Sequence, residues 1–324
     1  MSNKLKTILL VIGIPTLYAL LLRLFFGVET LDDLYKVMSI SFLFLLPTIV
    51  GYLTIYFSDI KLVRKLSYRI IVPWIPIFCF FLLTLLMAIE GWACWIMVLP
   101  LSMLASSLGG LLAGYFMLKK KDNKLYVSLF VVFPLFISPL EQMIVAISGT
   151  YKAYTYIDIE AAPDQIWEHV TRVKEIPEAQ DKGWLTRNLG FPRPVKAELN
   201  YLGVGAYRKA IFTNGLVFHE TVTEYVDQKR MSFTIKAYPN EIPSATLDKH
   251  VLIGGQYFDV LNGTYELEQL NKTTYRLHLY SHFKLNTTFN FYASWWAKWI
   301  MKDIQNNILQ IEKRRAEQSN TSIK

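Results

Sequence analysis

Charge is scarce in this chain of 324 residues. Asp, Glu, Lys and Arg make up 19% of it, against roughly 25% in an ordinary soluble protein. Disorder needs the opposite balance, few apolar residues and much charge, and is excluded for the bulk of the chain. Cysteine is scarcer still. There are two, Cys79 and Cys94, both in the first half. The second half therefore cannot form a disulfide, and the two thiols read as small apolar packing residues. The net charge is +8, yet the dense basic clustering that grips nucleic acid is missing. Also missing are the Gly-x-Ser-x-Gly elbow, the Gly-x-x-x-x-Gly-Lys phosphate loop and the His-Glu-x-x-His metal helix. No cofactor is expected, and no catalytic constellation stands out.

Apolar residues take the place of the missing charge: 52% of the chain is hydrophobic, 15% aromatic, and the mean hydropathy is +0.26. The excess lies in the first half. A helix must supply about 20 mainly apolar residues to cross a bilayer, because it rises only about 1.5 Å per residue. Five stretches qualify, at about 7–27, 37–57, 70–89, 92–118 and 125–148. Between Ile70 and Leu118 the only charge is Glu90, so that run divides at Glu90-Gly91. The first stretch reads as a span and not as a cleaved signal peptide. Its apolar core continues to Phe26 through Arg23, and acidic residues follow where small ones would mark cleavage.

Basic residues near span ends usually stay in the cytoplasm. Lys4 and Lys6, then Lys61, Arg64, Lys65 and Arg69, then Lys119, Lys120, Lys121 and Lys124 all fall on one side of a five-span arrangement. The expected topology is an integral protein of a bacterial cytoplasmic membrane, its amino terminus inside and everything after residue 150 outside. Membrane lipids are its expected neighbours. Arg23 and Glu141 lie within spans, where charges usually pair, line a path or reach for the interface; a structural Arg23–Glu141 pair, or Arg23 alone reaching for the interface, is the expectation. Ala105-xxx-Gly109 and Gly110-xxx-Gly114 place small residues four apart, which lets helices approach closely. They fit packing within the bundle or a face between copies, and the oligomeric state stays open.

At Tyr151 the pattern changes. Residues 153–160 alternate as a strand, and Pro163-Asp164 then open a helix with Ile166, Trp167 and Val170 on its apolar face. A loop-rich stretch runs to about 194. Strand-like runs follow at about 196–202, 206–213, 217–226, 230–237, 256–269 and 273–285, and an amphipathic helix covers about 290–316. The expected division is a membrane domain over 1–149, an α+β domain over 150–316 and a polar tail over 317–324. Period-two alternation places Met231, Phe233 and Ile235, Tyr265 and Leu267, and Tyr275, Leu277, Leu279 and Phe283 on buried faces. The closing helix opposes them with Trp296, Trp299 and Ile300 at helical spacing.

All five histidines, 169, 219, 250, 278 and 282, lie in this second domain. His278 and His282 share a strand face, but Arg276 and Lys284 share it too, and no cysteine or close carboxylate completes a ligand set. That face reads as solvated, with no metal. His169 is expected to be exposed on its helix and His250 to lie in a loop.

A strand running into "IEAAPDQIWEHV", an antiparallel sheet, the segment "YELEQLNKTTYRLHLYSHF" and a long closing helix resemble the START-like helix-grip superfamily, SRPBCC. That superfamily includes the polyketide cyclase/dehydrase and lipid-transport group. The resemblance covers about residues 151–316. It implies a deep apolar cavity between sheet and helix, used by relatives to hold lipids, sterols or polyketides, and lined here by the twelve residues just named. It supplies no universal catalytic set, and the membrane spans are not part of its pattern.

Three readings follow. A membrane-anchored protein would bind or transfer a hydrophobic, lipid-like molecule in an extracytoplasmic helix-grip domain. An enzyme would act on a lipid- or polyketide-like substrate in the same cavity, which would require an ionisable side chain deep inside. A transport or sensory unit would work through the spans, with Arg23 and Glu141 on its path.

Overall fold

A computed structural model describes residues 3–119, 124–143, 148–238 and 253–321. His250 therefore lies outside the described residues. The chain divides into two compact units, Met1–Ala146 and Ile147–Lys324.

The first unit is helical: α1 (Lys4–Phe26), α2 (Ser41–Tyr56), α3 (Leu66–Leu86), α4 (Trp92–Leu118) and α5 (Lys124–Met143). Among the described residues three helices, not five, are long and apolar enough to cross a membrane. These are α1, α3 and α4, with 23, 21 and 27 residues. The expected span at 37–57 is shortened because its helix starts late. Ser39 Oγ accepts from the Phe42 N–H at 3.1 Å, and Glu141 accepts from the N–H groups of Ile40 and Ser41 at 2.7 and 3.0 Å. These bonds satisfy donors that a helix N-terminus leaves open, and they fix the start of α2 there. In the fifth expected span the described apolar helix covers Phe130–Met143, and 144–147 lie outside the described residues.

The expected Arg23–Glu141 pair is not formed. Arg23 donates instead to Glu90, with Nε 2.7 Å from Oε1, and both side chains are buried. Glu141 is held by the start of α2, where Ser41 Oγ adds a third bond at 2.8 Å. A carboxylate there meets the positive end of the helix dipole, which offsets part of the cost of burial. Helices α2 and α4 cross at contact distance. A Cβ added to Gly109 would come within 1.8 Å of the Thr48 carbonyl oxygen, and one on Gly51 within 1.8 Å of Ser106 O. Gly110 and Gly114 face the backbone and side chain of Arg69, with Pro73 over Gly110. All four glycines thus pack within the chain. Pro15 and Pro47 each follow a π-helical turn, Leu9–Gly13 and Ser41–Leu45. The turn loosens the backbone where the proline ring would strike the carbonyl four residues back.

The second unit opens with β1 (Gly149–Ile159) and continues through α6 (Pro163–Thr171) and α7 (Trp184–Leu189). Six strands follow: β2 (Pro194–Leu199), β3 (Tyr207–Phe212), β4 (Val217–Val226), β5 (Arg230–Lys236), β6 (Phe258–Gln269) and β7 (Tyr275–Leu285). The long helix α8 (Asn290–Thr321) closes the unit. The strands form one antiparallel sheet in the order β1-β7-β6-β5-β4-β3-β2. Strands β2 to β7 are a meander, and β1 adds beside the last of them. Register shifts at Val222/Glu224 and Val260/Asn262 mark bulges, which bend and twist the strands that carry them. A curled sheet wrapped on a C-terminal helix is the helix-grip arrangement.

Local chemistry explains the elements. Pro163 stands at the first turn of α6, where its missing N–H costs nothing, and Gln165 accepts from the Ala162 N–H at 3.3 Å. Ile166, Trp167 and Val170 turn that helix into the core. Helix α7 occupies part of the stretch read from sequence as loop. It stops at Gly190, whose φ of 70° suits glycine. Helix α8 is tied to the sheet by Gln305, which accepts from Thr155 Oγ1 at 3.2 Å and donates to Ser281 Oγ at 3.1 Å. Asn307 and Asp303 tie it to the 181–186 segment, bonding Asp181 Oδ1 at 2.8 Å and the Thr186 N–H at 2.9 Å.

Candidate functional site

The inward phase of β5 carries Met231, Phe233 and Ile235, and all three are buried. Tyr265, Leu267, Leu277 and Leu279 join them in one apolar cluster beneath α8, with Tyr275 partly buried at its border. Phe283 sits elsewhere, in a smaller cluster with Ala153 and Leu285 under Ala293 and Ala297 of the helix. Trp296 is buried and Ile300 half-buried. Trp299 is a correction: it is 42% exposed and its ring lies tilted against those of Trp295 and Trp296, with centroids 5.4 Å away in each case. The helix turns only part of its aromatic residues toward the sheet, and position 299 lies outside that arc.

Within this apolar interior sits a polar cluster that alternation did not single out. Arg208 on β3 shares its inward face with Ala210 and Phe212, and Glu220 on β4 shares its own with Phe218 and Val222. The two are directly opposed in the β3–β4 register, and Arg208 Nη1 donates to Glu220 Oε2 at 2.5 Å. Each side chain is 4% exposed. Arg208 Nε also donates to the Thr171 carbonyl at 3.4 Å. The guanidinium lies 5.2 Å from the centre of the Phe233 ring. That ring has room because residue 263 is glycine: a Cβ there would stand 2.7 Å from two Phe233 ring carbons. One small residue thus positions an aromatic face under a buried cation.

Glu312, on α8, completes the group. It is 1% exposed, and neither of its carboxylate oxygens has a hydrogen-bond donor in bonding geometry. The Tyr265 hydroxyl and the Arg208 guanidinium lie beside it. Burial dominates its acidity and raises its pKa from 4.5 to about 8, although Arg208 and Tyr265 pull the other way. At neutral pH the group is a carboxylic acid. Burial also pushes the Tyr265 hydroxyl well up, with Glu312 adding to the effect, so it too stays protonated. Burial opposes the charge on Arg208, but Glu220 and its other neighbours outweigh it and the guanidinium keeps its proton. Burial pushes the Glu220 carboxyl up as well, against the opposing pull of Arg208. The result is a hydrogen-bonded Arg208–Glu220 pair, a neutral acid and a phenol, enclosed by aliphatic and aromatic side chains. Such a group can donate protons or hydrogen bonds to a ligand, and can accept them.

The histidines play other parts. His278 bridges the Tyr154 hydroxyl (Nδ1, 2.8 Å) and Glu268 Oε2 (Nε2, 3.0 Å) on the outer sheet face, so a carboxylate does lie close, across the strand. His282 Nδ1 meets Asn262 Oδ1 at 2.9 Å. No cluster of three metal-ligating side chains occurs among the described residues. His169, expected in solvent, is buried on α6, and burial lowers its pKa.

No family model and no curated protein sequence matches the chain. Solved structures resemble about half of it. DynU16, a protein of the dynemicin biosynthetic locus, is 15% identical over 51% of this chain, with a TM-score of 0.28, and the chain spans about half of that protein's length (49%). Norcoclaurine synthase from Thalictrum flavum, in complex with dopamine and hydroxybenzaldehyde, is 13% identical over 51% of this chain and 87% of its own, with a TM-score of 0.30. Mll3558 from Rhizobium loti is 11% identical over 50% of this chain and 97% of its own, with a TM-score of 0.31.

Proposed function

We propose that the C-terminal unit binds a hydrophobic small molecule between its sheet and closing helix, and that the apolar N-terminal helices anchor it to a membrane. One observation carries the binding reading: Glu312 is buried inside an apolar core with no donor in full bonding geometry on either oxygen, although the Tyr265 hydroxyl and the Arg208 guanidinium lie beside it. An unsatisfied buried polar group costs about 1–3 kcal/mol, so a fold keeps one where something else completes its bonding. A ligand with an apolar body and a polar head does so, its head against Glu312, Tyr265 and Arg208. Anchoring is supported by the length of α1, α3 and α4 and by outward apolar side chains on them, such as Leu21, Leu86 and Leu104. Any odd number of crossings puts residue 150 on the face opposite Lys4. The domain lies outside the cytoplasm if α2 and α5 cross too, which gathers the basic clusters at 61–69 and 119–124 on the Lys4 side. It lies inside if only α1, α3 and α4 cross.

Mass spectrometry of the full chain purified in detergent tests the binding reading. Native conditions should retain an apolar passenger bearing a hydroxyl, amine or carbonyl group, and denaturation should release it. The Glu312→Leu variant should release less. An empty parent protein would overturn stable binding. It would favour the second reading, which the same cluster supports: a neutral carboxylic acid beside a phenol is a general acid in waiting, acting on a substrate that comes and goes. The transport reading has less support, because Arg23 bonds Glu90 and Glu141 bonds the start of α2, which leaves the proline-bearing helices as its basis.

A further inference from the structure

The outward positions of α8 change character along its length. They are Phe291, Trp295 and Trp299 over the first turns, then Lys302, Asn306 and Gln310. The three aromatic residues are 68%, 56% and 42% exposed, and the rings of Trp295 and Trp299 touch, with centroids 5.4 Å apart. Single exposed apolar residues are ordinary, but a contiguous aromatic ridge marks a surface that meets something. Its composition points to lipid. Tryptophan carries an apolar ring and an N–H donor and concentrates at the headgroup level of bilayers. Lys298 and Lys302, three positions on from Trp295 and Trp299, supply the positive charge that anionic headgroups attract.

The position of the ridge in the fold agrees. Leu285, five residues before Asn290, pairs with Gly149, the first residue of β1. Gly149 is where the chain enters the second unit from the first. The aromatic end of α8 is therefore the end of the second unit at which β1 begins, and the polar end is the far one.

We propose that the ridge formed by Phe291, Trp295 and Trp299 docks into the headgroup layer of the bilayer, with Lys298 and Lys302 at its border and Asn306 and Gln310 in water. The inference rests on the membrane attachment proposed above. Its test therefore reports on attachment separately.

The full chain, with Cys79 and Cys94 changed to alanine, is reconstituted into vesicles of phosphatidylcholine and phosphatidylglycerol. Spin labels are attached one at a time to Phe291→Cys, Trp295→Cys, Asn306→Cys and Gln310→Cys, and to Leu104→Cys on α4 as a reporter of attachment. Labels at 291 and 295 should collide more with lipid-dissolved oxygen than with a water-soluble nickel chelate, and those at 306 and 310 the reverse. Aqueous labels at 291 and 295 with a lipidic label at 104 would overturn the ridge and leave attachment standing. An aqueous label at 104 would overturn both. Dipolar broadening at 295 that vanishes on dilution with unlabelled protein, without an oxygen preference, would assign the ridge to a second copy and overturn the lipid proposal.

Discussion

Glu312 makes stability a function of pH. An unfolded carboxyl titrates near 4.5 and the folded one near 8, so between those values the folded state holds a proton that the unfolded state releases. The contribution is whole below pH 4.5 and is lost as pH rises through 8, on the order of 5 kcal/mol in all. Glu312→Gln keeps the shape and removes the titration. Urea unfolding of the full chain in detergent, followed by fluorescence from pH 5 to pH 9, should show a falling curve for the parent and a flatter one for the variant. The variant should be the more stable at pH 9. Parallel curves would mean that the carboxyl is hydrated. His169 acts on the acid side: its pKa is lowered by burial, so its contribution is lost as pH falls below 6.5. Arg208 and Glu220 were in principle legible, since each falls in phase with apolar inward neighbours. A charged residue in an inward phase reads as an exception until its partner is known, and the register that sets Arg208 against Glu220 is a tertiary fact.

Strands and the closing helix were legible because periods of 2 and 3.6 run through them for many residues. Helix α7 was not, because six residues between Gly183 and Gly190 are too few to show a period. The spans were overcounted for a related reason. Apolarity extends back to residue 37, but the helix begins at Ser41, where Ser39 and a carboxylate a hundred residues away satisfy its first N–H groups. Within α8, helical spacing alone could not separate Trp296 from Trp299, and their burial does. Trp296→Ala should destabilise the domain by about 3–5 kcal/mol, whereas Trp299→Ala should stay within about 0.5 kcal/mol. Chemical denaturation of both variants in detergent checks this, and equal losses would return Trp299 to the core.

For the molecule as a whole, sidedness is the claim with the most at stake, because it decides which compartment supplies the ligand. If α2 and α5 cross along with the three longer helices, a tag at the carboxyl terminus should be cleaved by protease added to spheroplasts. A tag at the amino terminus should be cleaved only after the membrane is opened. The reverse pattern would place the grip domain in the cytoplasm. A two-unit organisation was legible at this scale from the abrupt change in composition near residue 150. The polar heart of the second unit was not, since its members come from β3, β4, β6 and α8 and meet only when the sheet curls.

The position of β1 has a consequence for the order of events during synthesis. Strands β2 to β7 can pair one after another as they emerge, each with the strand just made. Strand β1 leaves the ribosome before all of them, yet its partner is β7, the last strand. Its hydrogen-bonding edge therefore stays vacant until residue 285 has been made, and the helix that covers it comes later still. Native pairing of the first strand is the final act of building the sheet. It closes a loop of more than a hundred residues, the slow kind of contact in folding. An early-terminated chain would display an open strand at the point where the domain joins its apolar helices.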